Sequence, residues 1–145
     1  FYGNLYASEN TAGIEEISSH ISPRVDKAMN NSLDAQYTKS EVKTALFQMA
    51  PTKAPGPDGF PARFYQRNWG TVKRDAVNAV LKFFQEGVMP EGTNDTVIAL
   101  IPKGNRPEQL KDFRPISLCN VIYKIISKML SSRLKSILPD INAPS

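Results

Sequence analysis

The sequence predicts an α+β domain, mostly helical, with one short antiparallel β element. Three observations predict it. In several stretches of the 145 residues, apolar side chains recur at three- and four-residue spacing, the period of a helix face turned to a core. One β-branched run, Thr96-Val97-Ile98-Ala99-Leu100-Ile101, breaks that period and stops at Pro102, as a strand does. A turn sequence, Gly104-Asn105-Arg106-Pro107, then precedes Phe113-Arg114-Pro115-Ile116, which reads as a short return strand with Pro115 confining it to an edge or an end.

The elements follow in chain order. Ile14, Ile17, Ile21 and Val25 suggest a short helix, broken at Pro23, with a second turn to Met29. Thr38-Lys39-Ser40-Glu41 fits a capping box, in which the Thr38 hydroxyl accepts from the Glu41 amide and the Glu41 carboxylate reaches back. Val42, Ala45, Leu46 and Met49 form the apolar face of the helix so started, and Pro51 ends it. Pro51 to Gly59 holds three prolines and two glycines, too many for regular structure. Asp58 is placed to cap a following helix, with Pro61 in its first turn and Phe60, Phe64, Tyr65 and Trp69 as an aromatic face. A further helix covers about Val72–Gln85, with Gly87 as its C-cap. After the β element, a strong helical period runs from Ser117 to Leu138. On that helix Lys124, Lys128 and Lys135 fall opposite the apolar stripe, whereas Arg133 falls inside it and needs a carboxylate or carbonyl partner.

Composition excludes several classes. With 41% apolar and 22% charged residues the chain is not a disordered segment. One cysteine, Cys119, excludes an internal disulfide framework and a Cys-only zinc site. One histidine, His20, leaves no obvious Ser–His or Cys–His pair. The longest nearly uncharged run, about Ile116–Leu130, is interrupted by Lys124 and Lys128 and does not read as a membrane span, so no membrane partner is expected. Phe1 to Tyr6 carries neither the basic start nor the apolar run of a secretory signal. Both ends read as cut, and the expectation is a piece of a longer, non-secreted protein.

The net charge of +4 is uneven. Residues 1–50 carry four bases and six acids, and residues 51–145 carry fourteen bases and eight acids. Between Asp112 and Asp140 there are five bases and no acid. Such a one-sign field attracts a polyanion, although a solvated basic helix face would leave the same pattern. Two further features stand out. The Pro/Gly loop bearing Lys53 is either a connector or a preorganised backbone surface that a ligand approaches at its glycines. Lys103 and Arg114 sit on the two arms of the predicted hairpin. They are either ordinary surface charge or a clamp for a triphosphate.

Taken together, Lys53-Ala-Pro-Gly-Pro-Asp-Gly59, the Phe-x-Gln-x-x-Trp stretch Phe64–Trp69, Leu100-Ile-Pro-Lys103 and the run Asp112–Leu134 resemble the start of a reverse transcriptase domain. The nearest type is that of non-LTR (LINE-type) retrotransposons, in the form abundant in plants. The resemblance covers the chain from about Thr38 onward. It implies that residues 38–145 are the fingers part of a right-hand polymerase, an incomplete domain without its palm, and that residues 1–37 are N-terminal linker helices. By similarity, Lys53, Gly56, Pro57, Asp58 and Gly59 help hold the RNA template, and Lys124 and Lys128 back the template strand. Lys103 and Arg114 match basic residues that meet the phosphates of the incoming deoxynucleotide triphosphate. Arg133 braces the fingers, with direct ligand contact as the alternative.

The family joins a DNA primer 3′-hydroxyl to the α-phosphate of a nucleotide with two Mg²⁺ ions held by palm carboxylates. Those carboxylate patterns are absent from this sequence, and Asp58, Asp112 and Asp140 are scattered. The resemblance therefore implies no polymerase activity and no bound Mg²⁺ for this chain alone. Its expected partners are template, primer, nucleotide and the rest of the polyprotein (palm, thumb and an endonuclease), in the nucleus or a cytoplasmic ribonucleoprotein. The alternative is a non-catalytic nucleic-acid-binding remnant of such an element.

Overall fold

The computed structural model of the chain describes residues 24–142, together with Ala7 and Ile14. Helix α1 spans Lys27–Asp34, started by the Asp26 carboxylate, which accepts from the Met29 amide at 2.7 Å. It runs five residues past the expected end at Met29. Of the helix expected before Pro23, Ile17, Ile21 and Pro23 lie outside the described residues.

Helix α2 spans Lys39–Phe47 and carries the capping box expected of it. The Glu41 amide donates to Thr38 Oγ1 at 3.2 Å, and the Thr38 amide donates to Glu41 Oε2 at 2.8 Å. Thr38→Ala removes the first of these bonds and leaves the second. We expect it to lower stability by about 1 kcal/mol, read as a shift in the urea midpoint at unchanged slope; an unshifted midpoint would make the cap dispensable.

The next segment departs from the sequence expectation. Asp58 does not cap a helix: its carboxylate accepts from the Phe60 amide at 3.0 Å, closing a turn inside the loop. Helix α3 is short, Ala62–Arg67, and its N-cap is Pro61, without a side-chain cap. Asn68 ends it and starts α4, Trp69–Glu86, which begins three residues before the expected Val72. Gly87 closes α4 as anticipated, at φ 69° with its amide on the Phe83 carbonyl.

Strands β1, Thr96–Pro102, and β2, Phe113–Cys119, form a two-stranded antiparallel hairpin, with a 3₁₀ turn at Leu110–Asp112 between them. Ile98 faces Ser117, Val97 faces Leu118 and Thr96 faces Cys119. β2 is therefore three residues longer than expected, and the last helix, α5, starts at Val121 instead of Ser117, running to Asn142. The strand wins residues 117–119 because β1 extends far enough to pair with them.

The core lies among the helices. Val42, Ala45 and Leu46 of α2, Ala62 of α3, Val77 and Val80 of α4, and Val121, Ile125, Ile126 and Met129 of α5 form one buried cluster. The hairpin stands outside it, with Val97, Ile98, Leu100, Ile101 and Ile116 each at least 40% exposed. The fold is thus mostly helical, α+β, with one antiparallel pair of strands.

Candidate nucleic-acid interface

The Pro/Gly loop is docked on the junction between β2 and α5. Gly56 lies so close to that junction that a Cβ would overlap the Asn120 side-chain oxygen, the Asn120 amide nitrogen and the Cys119 carbonyl carbon. The close approach that this glycine permits is thus to the protein's own backbone. The Asp58 amide donates to Asn120 Oδ1 at 3.2 Å, and Lys124 Nζ donates to the Ala54 carbonyl at 3.0 Å. Gly59 turns the chain at φ 74° with nothing near its Cβ position, its amide on the Gly56 carbonyl. Pro57 stays exposed on the loop.

Asn120, which no motif of the sequence marks, holds this arrangement together. Only 6% exposed, it donates from Nδ2 to the Gly92 and Thr93 carbonyls at 2.9 and 3.4 Å. Its own carbonyl accepts from the Lys124 amide in the first turn of α5. One side chain thereby ties the Pro/Gly loop to the turn ahead of β1. A buried amide satisfied on both ends is worth several hydrogen bonds that nothing else there supplies. The available signal was an asparagine between a strand and a helix, a common joint that spacing alone does not tell from a simple N-cap.

Docking opens a cleft of about 420 Å³ bearing Lys53, Lys124 and Lys128, floored by Met49, Ala62 and Val121, with no acid among its lining residues. Lys124 and Lys128 are half-buried at the border of the apolar stripe, not opposite it, because Val121, Ile125 and Met129 occupy the inward line and each lysine sits one residue before a member of it. Lys135 is exposed as expected. Lys124 also anchors the loop, so it is a structural residue as well as a charge.

Lys103 and Arg114 lie at the other end of the hairpin. Arg114 faces Ile101 across the pair and is exposed. Lys103 continues the pairing with its amide on the Asp112 carbonyl at 2.7 Å, and its ammonium donates to the Lys111 carbonyl at 2.7 Å. The Asp112 carboxylate accepts from the Gln109 and Glu108 amides, which hold it below its ordinary value, so its work is to shape this loop. Five residue steps along the strand separate Arg114 from Cys119, roughly 17 Å at ~3.4 Å per residue. The predicted site residues therefore fall into two groups, one at each end of the hairpin.

Arg133 has the partners its position demanded. Its guanidinium donates from Nε to Glu41 Oε1 at 2.9 Å, from Nη1 to the Leu33 and Ala35 carbonyls, and from Nη2 to the Gln36 carbonyl at 3.1 Å. It is a brace between α5 and the segment joining α1 to α2. Among the described residues no three His, Cys, Asp or Glu side chains are grouped so as to hold a metal ion. No helix among them is long and apolar enough to cross a membrane.

No family model matches the chain. It is 32% identical over 146 aligned residues to the Transposon TX1 uncharacterized 149 kDa protein of Xenopus laevis. The alignment covers 99% of this chain and 11% of that protein, so the chain is similar to a small part of a much longer transposon protein.

Proposed function

We propose that the chain is part of the RNA-directed DNA polymerase of a LINE-type retrotransposon and that it supplies fingers contacts. On this reading the cleft of Lys53, Lys124 and Lys128 holds template RNA by its phosphates, and Lys103 and Arg114 meet the triphosphate of the incoming nucleotide. The catalytic carboxylates and their Mg²⁺ belong to a palm outside this sequence.

The observation that carries the reading is the docking of the Pro/Gly loop on α5. Lys124 and Ala54, seventy positions apart, are joined by a hydrogen bond. Two separate stretches of the reverse transcriptase resemblance thereby converge on one cleft with three cations. A connector alone would have no need of that charge. The similarity to a transposon protein points the same way.

The test is binding of a labelled single-stranded RNA, followed by anisotropy. Each phosphate neutralised on a single strand adds ~0.7 to the slope of log K against log salt, so three contacts predict a loss of roughly one decade between 50 and 200 mM salt. Lys53→Glu with Lys128→Glu should weaken binding about tenfold or more and flatten that slope. Neither side chain makes an ion pair among the described residues, so the melting temperature should barely move. Affinity independent of salt, or equal in the variant and the parent, would overturn the assignment of the cleft.

A further inference from the structure

A larger groove, about 620 Å³, lies between α2 and α4. Its walls carry Lys39 and Lys43 from α2 and Lys73 and Arg74 from α4, and Trp69, the first residue of α4, also lines it. Lys39 and Lys43 are one helical turn apart on the same face, as are Trp69 and Lys73 on theirs. All four cations are exposed. Arg74 is paired with Asp75 at 3.1 Å, whereas Lys39, Lys43 and Lys73 make no ion pair among the described residues, and no acid lines the groove. Trp69 is half-buried and held edge-on by Phe47, ring centroids 6.2 Å apart at 88°.

We infer that this groove is a second site for single-stranded nucleic acid, with phosphates on Lys39, Lys43, Lys73 and Arg74 and one base stacked on Trp69. Cations on both walls of a channel track a phosphate backbone, and a braced aromatic ring among them supplies a sequence-tolerant platform for an unpaired base. An acidic protein surface would satisfy the lysines but would offer the indole no planar face, and a duplex keeps its bases stacked inside. The inference rests on the reading above in taking nucleic acid as the ligand, but on none of its residues.

Trp69 is the single tryptophan of the chain, so its fluorescence reports on this groove. Titration with a short oligothymidylate at low salt should quench that fluorescence saturably, and added salt should reverse the quenching. Lys43→Glu with Lys73→Glu should raise the oligonucleotide concentration needed for half-quenching about tenfold or more. Lys43→Ala with Lys73→Ala serves the same end if charge reversal lowers the melting temperature. Lys53→Glu with Lys128→Glu, which alters the other cleft, should leave the quenching curve within about twofold of the parent. Oligonucleotide binding seen by anisotropy with Trp69 fluorescence unchanged would overturn the groove and leave the first cleft standing. Quenching that survives in both Lys43/Lys73 variants would overturn it equally. Binding absent by both readouts would remove both sites.

Discussion

Arg133→Ala is expected to destabilise the chain by about 2–3 kcal/mol, the range for losing the hydrogen bonds of a charged donor in a partly buried ion pair. The Arg133 side chain is 12% exposed and that of Glu41 34%. The guanidinium bonds both Glu41 oxygens and the Leu33, Ala35 and Gln36 carbonyls, and it lies 3.5 Å from the Tyr37 ring centroid. Tyr37 in turn stacks on Phe84 of α4 at 3.6 Å. Truncation leaves Glu41 Oε1 and three carbonyls without the Arg133 donors, while Glu41 Oε2 keeps Thr38, and it leaves the Tyr37 face without its cover. Lysine should recover little, because a point charge cannot reproduce a planar fork with five donors.

The same clasp gives a pH dependence. Burial pushes the Glu41 carboxyl up, but hydrogen bonds from Arg133 and Thr38, with the Arg133 charge, together outweigh it and hold the group below its ordinary 4.5. A carboxylate depressed in the folded state contributes stability above its unfolded value, and that contribution fades as pH falls through the folded value. The parent should therefore lose stability from about pH 4.5 downward, and Arg133→Ala should show a shallower acid limb over that range. Denaturant unfolding at neutral pH and along that limb tests both statements. A variant within 1 kcal/mol of the parent at neutral pH would show that the clasp does not hold the helices together.

Gly56→Ala is expected to cost about 2–4 kcal/mol, more than a methyl group in a core gap, because two of the three atoms in its way are backbone. No rotamer change can clear Cys119 and the Asn120 amide. The loop must lift instead, which breaks the bond from the Asp58 amide to Asn120 and draws the Ala54 carbonyl away from Lys124. Lys53 would leave the cleft with it, so single-stranded RNA affinity should fall together with stability. Gly59→Ala is the control: its cost is confined to the left-handed backbone, about 1 kcal/mol, since a Cβ there meets nothing. Equal losses in the two variants would show that the loop is not seated on the β2–α5 junction.

Several elements were legible from residues a few positions apart. The Thr38–Glu41 capping box, the Gly87 C-cap and strand β1 rest on short-range bonds and on periodicity, both of which a local window contains. The resemblance to a transposon-type polymerase was likewise written in contiguous motifs, and the similarity to a transposon protein agrees with it at that coarser level. That Arg133 needed a partner could be deduced from its place in the apolar stripe.

Its identity could not, because Glu41 is ninety-two positions away. The same limit explains the other departures. Ser117 to Cys119 suit strand or helix, and the presence of β1 opposite them decided for strand. Asp58 could have capped a helix, but the loop's seat on Asn120 left it closing a turn. Lys124 and Lys128 stand at the edge of the buried stripe because the loop and α2 cover that side of α5. The groove of Lys39, Lys43, Lys73 and Arg74 exists because two helices thirty positions apart pack side by side. Local hydrogen bonds and hydrophobic period belong to the sequence by itself; which distant carbonyl, carboxylate or cation comes within bonding range is decided when the helices share one core, because burial then removes water as the alternative partner.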